Sequence, residues 1–235
     1  MLMRIISFSL CIYCLLGFTR VAGAENDKAP QAKWDFGFVP QKSEVSHTFY
    51  LRNPGPGPLT ITKINPGCSC TSVSKVERPI APGDSAAIAV TFTSGRYHYR
   101  VQKTTLVETD NPEMSKQRLS ILADVYADQD TTGFISASQP KLIWEAKIGQ
   151  QSFEPRTVEF VNRFADTVQI EVLTMPDTLV NWSLSIRELA PGATAVLTVT
   201  PLKAVAVRKT TDVTTTLRFV KGRATIITVP LEFKY

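Results

Sequence analysis

The chain has 235 residues, 43% of them apolar, and carries 26 basic against 21 acidic side chains for a net charge of +5. That apolar content excludes a disordered polyelectrolyte, and the mild charge, with no Lys/Arg run, excludes a surface that tracks phosphates, so nucleic acid is not an expected partner. Two histidines and four cysteines leave few groups from which to build a catalytic or metal centre.

The first element is a leader. Arg4 precedes an apolar run of fourteen residues, Ile5 to Phe18, and Ala22-Gly23-Ala24 follows as a small-residue cleavage site. The run is shorter than the roughly twenty residues of a spanning helix. The reading is a signal peptide over 1–24, cleaved after Ala24, then a short segment over 25–32. The mature protein is expected to be exported, periplasmic or secreted, and not membrane-spanning. Cys11 and Cys14 sit in the leader behind Leu10 and Tyr13, which do not fit a lipidation site. Without Arg4 and Arg20, 24 basic residues face 21 acidic ones, a charge of +3. Only Cys68 and Cys70 remain, in a compartment where disulfides persist.

Beyond the leader the apolar period is two. Val45, Phe49 and Leu51 alternate with Ser46, Thr48, Tyr50 and Arg52, and Leu59 and Ile61 alternate with Thr60 and Thr62. His47 falls on the apolar side of its strand and reads as a core-edge residue. The Pro-rich stretch Arg52 to Ile61 links strands. Ile88, Val90 and Phe92 form a further strand, and Leu119, Ile121, Ala123 and Val125 a closing one. His98 lies in a turn leading into a strand. Later in the chain the rhythm returns in Val158 and Phe160, in Val168, Ile170 and Val172, in Ala195, Leu197 and Val199, and in Ile227, Val229, Leu231 and Phe233.

The chain repeats itself. Trp34 recurs as Trp144, Asn53 as Asn162, Ala81-Pro82-Gly83 as Ala190-Pro191-Gly192, and Tyr126 as Tyr235, at offsets of 110, 109, 109 and 109. Short alternating strands between turn residues, in duplicate, predict an all-β fold: two tandem immunoglobulin-like β-sandwich domains after a cleaved signal peptide. The expected boundaries are domain 1 over 33–127, a polar linker over 128–139 and domain 2 over 140–235.

Cys68 and Cys70 flank Ser69 after the turn Asn65-Pro66-Gly67. The pair reads as a disulfide if the turn curls, since an extended strand holds such Cα atoms at the upper limit for a bridge. A redox role would follow if that bond were easily reduced. Two thiolates are too few for structural zinc, although a soft ion such as Cu(I) accepts two. The plainest reading is a structural pair at the end of the sandwich.

Trp34-Asp35-Phe36-Gly37, Phe49 to Asn53, Pro58-Leu59-Thr60-Ile61, Cys68-Ser69-Cys70-Thr71 and Ile80-Ala81-Pro82-Gly83-Asp84, in this order, resemble the bacterial domain-of-unknown-function 1573 family. The resemblance covers Lys33 to about Tyr126. It implies an exported immunoglobulin-like domain, similar to the Hydin and major-sperm-protein type of sandwich, and it implies no reaction. Ser69 stands where the family pattern has a glycine between the cysteines. The second copy has no cysteine pair, and Leu173 to Ser183 takes that place.

Neither histidine sits in a nucleophile–base motif, the acids Asp35, Glu44, Asp84 and Glu108 are scattered, and no Gly-rich phosphate loop is present. No enzyme is expected, and no catalytic residue, metal ligand or cofactor is assigned. The leading expectation is a non-enzymatic exported module for protein–protein interactions in the cell envelope, binding or scaffolding through sheet edges and loops. Tyr97, Tyr99 and Arg100 form a cationic-aromatic hairpin and are the candidate partner-binding residues. The alternatives are a periplasmic pilus-type chaperone donating a strand around Ile121 and Ala123, or a thiol-redox or copper-handling protein using Cys68 and Cys70.

Overall fold

The computed structural model describes residues 33–127, 133–145, 147, 150, 152–202, 213–222 and 224–234. The expected leader with its two cysteines, the segment 25–32, residues 128–132 of the expected linker and the anchor Tyr235 lie outside them. The first half carries β1 (Lys33–Pro40), β2 (Glu44–Arg52), β3 (Ile61–Asn65), β4 (Thr71–Val73), β5 (Ser85–Thr93), β6 (Arg100–Thr109) and β7 (Lys116–Tyr126). The second carries β8 (Ile135–Ala137), β9 (Leu142–Glu145), β10 (Arg156–Asn162), β11 (Val168–Thr174) and β12 (Val180–Leu184). It continues with β13 (Glu188–Leu189), β14 (Thr194–Pro201), β15 (Val213–Val220) and β16 (Thr225–Lys234). The protein is all-β, as expected. Among the described residues no helix is long and apolar enough to cross a membrane.

The period-two runs become strands because each places its apolar residues on one face. Val45, Phe49 and Leu51, and opposite them Ile88, Val90 and Phe92, are at most 2% exposed. The buried apolar residues form two clusters. One spans Phe36 to Val125, and the other runs from Ile135 through Val158, Phe160 and Leu197 to Phe233.

The sheets do not divide where the repeat does. One three-stranded sheet, β2-β5-β4, and one four-stranded sheet, β12-β14-β10-β8, each stay within a half. The nine-stranded sheet crosses both in the order β13-β11-β15-β16-β1-β7-β6-β3, with β9 also on β16. The joint is β1. It pairs in parallel with β7, Trp34 opposite Ile121, and on its other edge with β16, Phe38 opposite Ile227. Between these pairings the register shifts at Asp35–Phe38, and Gly37, at φ +61°, donates its N–H to Asp35 Oδ1 at 2.9 Å. Threonines finish the joint: Thr228 Oγ1 bonds Thr216 Oγ1 and donates to Phe36 O at 2.7 Å, and Ser46 N–H donates to Thr214 Oγ1. All three threonines are buried.

The repeated asparagines are structural. Asn53 is 1% exposed and Asn162 is fully buried, and each side chain holds the loop that follows it. Asn53 Nδ2 donates to Gly57 O and Ile80 O, both at 2.8 Å, while Gly55 N–H donates to its Oδ1. Asn162 repeats the set at the same offsets with Asp166 O, Leu189 O and Phe164 N–H. The backbone of each asparagine bonds the Ala-Pro-Gly turn, through Gly83 N–H to Asn53 O and Gly192 N–H to Asn162 O. Proline presets the second turn position, and glycine supplies the positive φ that the third requires, +77° at Gly83 and +72° at Gly192.

One boundary needs correction. The polar linker expected over 128–139 ends sooner, because Ile135–Ala137 form β8 and pair antiparallel with β10, Ile135 opposite Asn162. Three residues are too few for alternation to register.

Candidate functional site

The Cys turn lies where the first half passes from the nine-stranded sheet to the three-stranded one, between β3 and β4. Asn65 Oδ1 accepts the Gly67 N–H at 3.0 Å, and Gly67 takes φ +81°. Glycine is required there on a second count: a Cβ would stand 2.5 Å from Thr104 O on β6. The curl brings the Cys68 and Cys70 Cα atoms to 5.3 Å, and the two are joined by a disulfide. The special backbone position is thus Gly67, and Ser69 is not at positive φ. Serine between the cysteines therefore meets no left-handed backbone penalty. Cys70 packs against the first core cluster and accepts the Thr93 N–H on its carbonyl. The Oγ1 of Thr71, a buried residue, stands 3.3 Å from Cys68 Sγ.

A ring closed over one intervening residue removes little entropy from the unfolded chain. Loop closure of that size is worth roughly 1.5 kcal/mol. A Cys68→Ser, Cys70→Ser protein is therefore expected to fold, with a loss in urea unfolding of about 1–2 kcal/mol. A loss well beyond that range, or an unfolded product, would make the pair part of the core.

Tyr97, Tyr99 and Arg100 do not form a hairpin. Residues 94–99 connect β5 and β6, which belong to different sheets, so the segment is a crossover. Its three residues are divided by task. Tyr97 packs on the first core cluster against Phe92, ring centroids 6.0 Å apart, and its hydroxyl accepts from Lys103 Nζ. Arg100 ties β6 to β1 and β7 through Asp35, at 2.6 Å, and Asp124. The hydrogen bond it donates to Asp35 and the charge of both carboxylates raise its pKa above the ordinary value. Tyr99 is 63% exposed, and Arg100 is exposed as well. His98 lies just ahead of β6, as expected.

His47 lies flat on Trp34, with ring centroids 3.9 Å apart and planes 8° from parallel, and edge-on to Phe49 at 4.8 Å. Burial against these rings pushes its pKa down to about 4. The unfolded imidazole, near 6.5, takes its proton first, so this site weakens the fold as pH falls from about 6.5. The loss stops growing below about 4, where the folded imidazole also charges. A His47→Phe protein, which keeps the stack, should lose less of its urea midpoint than wild type between pH 7 and pH 4.5. Equal losses would mean that His47 does not contribute to acid sensitivity. The two repeated tryptophans differ: Trp144 Nε1 donates to Glu154 O at 2.9 Å, whereas Trp34 Nε1 is buried with no partner among the described residues.

The Trp34–His47 stack lines a cleft of about 1310 Å³ between the halves. Sequence reasoning missed this site. One wall is the outer face of the three-stranded sheet, including Ser46, Thr48, Tyr50 and Thr91. The other is the second half's Val172, Leu173, Met175 and Trp182. Trp182 is fixed from two sides, donating to Asp177 Oδ1 at 2.7 Å and lying 5.9 Å from the Arg187 guanidinium. Tyr50, 57% exposed, is the aromatic residue most open to solvent on the first wall.

Residues 28–125 match the model of the family described as protein of unknown function (DUF1573). The resemblance carried by the Trp-Asp-Phe-Gly, Cys-Ser-Cys-Thr and Ala-Pro-Gly-Asp motifs therefore holds. No curated protein matches the chain. A protein of unknown function from Porphyromonas gingivalis W83 aligns at 12% identity and a TM-score of 0.35, over 86% of this chain and 96% of that one. The Pseudomonas aeruginosa CupB2 chaperone aligns at 10% and 0.29, over 83% and 95%. The E. coli chaperone DraB aligns at 11% and 0.31, over 84% and 94%.

Proposed function

We propose, starting from the family that residues 28–125 represent, that this protein is an exported, non-enzymatic binding or scaffold module of the cell envelope, built from two tandem immunoglobulin-like sandwiches. Supporting the two-domain organisation are the two core clusters and the duplicated Asn and Ala-Pro-Gly hydrogen-bond sets. The observation that carries the binding role is the cleft between the halves, walled by a small-residue sheet face on one side and apolar side chains on the other. Concave sites at such junctions are where recognition surfaces concentrate. A signal peptide over 1–24 would deliver the module to the envelope.

Strand donation of the pilus-chaperone kind has no open edge at Ile121 and Ala123. β7 is paired on one side by β1 and on the other by β6. Thiol-redox or copper work at Cys68 and Cys70 predicts a double-serine protein that folds but loses a redox or metal phenotype.

A native mass spectrum of the protein taken from its own host envelope without reductant tests the proposal. A chain beginning at Glu25 that carries a second polypeptide in fixed ratio is the expected result. A chain that is always alone, before and after mild cross-linking, would overturn the scaffold reading.

A further inference from the structure

β2 is the long, regular sheet edge among the described residues. Its nine residues pair with β5 from Glu44 opposite Thr93 to Arg52 opposite Ser85 with no shift in register. The other edges are blunted in the ways that prevent unwanted pairing. β13 has two residues, β4 and β8 have three, β9 has four, β12 has five, and β3 is irregular at Ile61–Lys63.

The direction of each peptide group on β2 follows from its flanks. Asn53 N–H bonds Asp84 O and Ser94 N–H bonds Ser43 O, so the odd-numbered residues of β2 face β5. In an antiparallel ladder the residues between them point both N–H and C=O the other way. Ser46 confirms it, giving its N–H to Thr214 Oγ1 on the second half. Beyond Ser46, the N–H and C=O of Thr48 and Tyr50 face outward, and no hydrogen bond to them is found among the described residues. Both residues line the cleft. The facing wall carries Val172, Leu173, Met175 and Trp182, with Asp177 and Arg187 beside them. The spacing of the four main-chain groups matches the backbone of an extended chain.

We infer that the cleft seats an extended segment of a partner protein, which adds to β2 as a fourth strand of the β2-β5-β4 sheet. The inference rests on the binding-module reading and assigns the edge that does the binding. The segment's backbone bonds Thr48 and Tyr50. Its side chains alternate, with apolar residues turned toward Val172, Leu173, Met175 and Trp182. Proline is absent where its N–H must donate.

The test is an amide NMR titration of the labelled full chain with a capped seven-residue peptide that alternates valine with threonine between terminal lysines. A second peptide carries N-methyl groups on alternate residues, which removes the donors facing β2. With the first peptide, the Thr48 and Tyr50 amides should shift and slow their hydrogen exchange. The methylated peptide should bind at least about tenfold more weakly. Thr48→Pro removes an outward N–H and no bond to β5, so the protein should fold by circular dichroism and lose the peptide. Should it fail to fold, Met175→Glu on the opposite wall should weaken binding by about tenfold. Equal binding of both peptides, shifts confined to other edges, no shift up to about 1 mM peptide, or Met175→Glu binding unchanged would each overturn the assignment. If Thr48→Pro loses the peptide but keeps its envelope partner, this edge is wrong and the module stands. If wild type has no envelope partner at all, the module reading itself fails.

Discussion

Replacing Asn162 with alanine is expected to lower stability by about 3–5 kcal/mol in urea unfolding, and Asn53→Ala by a similar amount. Each change deletes three hydrogen bonds to backbone groups of the following loop and of the strand pair beside it. The Leu189 carbonyl bond is buried, so losing its donor removes a hydrogen bond that water cannot replace, a penalty of about 1–3 kcal/mol. The partly buried bonds to Asp166 O and from Phe164 N–H add roughly 1 kcal/mol each, since water replaces the side chain incompletely. Asn162→Asp separates shape from hydrogen bonding. It keeps the acceptor for Phe164 N–H but turns an oxygen toward two carbonyls, so it should be no better than alanine. If both alanine variants cost less than about 1 kcal/mol, the duplicated network would be incidental to the fold.

Gly37→Ala tests the joint between the halves. A Cβ at this position would lie 2.1 Å from Ile226 O and 2.5 Å from Ile226 Cβ, and the residue sits at φ +61°. The conformation alone costs an L-residue roughly 1–2 kcal/mol. The nearest obstacle is the backbone of β16, which cannot swing aside as a side-chain tip could, so overpacking adds about 1–3 kcal/mol. The relief available is for β1 to leave β16, taking with it the Phe38–Ile227 pairing and the Thr228 bond to Phe36 O. Calorimetry should therefore show one transition for wild type and two for the variant, as the halves melt separately. Gly83→Ala is the control, with φ +77° but no atom within 4 Å of its Cβ position. It should lose only the backbone contribution and keep a single transition. A single, barely shifted transition for Gly37→Ala would mean that β1 does not couple the halves.

Much of this molecule could be read along the chain. Alternation placed Val45, Phe49 and Leu51, then Val158 and Phe160, on their buried faces, because a strand's period of two is a local property. The Asn and Ala-Pro-Gly anchors were legible as a repeat, and their reason is local too: a Pro-Gly pair dictates the turn, and the buried asparagine ties the chain on either side of it. The disulfide was one of several options until the curl at Gly67 was known. Tyr97, Tyr99 and Arg100 looked equivalent in sequence, yet packing set one on the core, paired one with two carboxylates and left Tyr99 63% exposed.

What the sequence determined by itself was the all-β class, the repeated Asn and Ala-Pro-Gly anchors, the family model that residues 28–125 match and much of the two buried clusters. Tertiary structure alone decided that β1 would serve both halves, that Thr214, Thr216 and Thr228 would be buried at their joint, and that Thr48 and Tyr50 of β2 would line a cleft facing the second half. The reason is physical. Alternation and turn chemistry act between residues a few positions apart, whereas a sheet edge is opened or closed by strands far away in the chain. Phe38 and Ile227, which join the halves, are 189 residues apart in the chain, and no periodicity reaches across that distance.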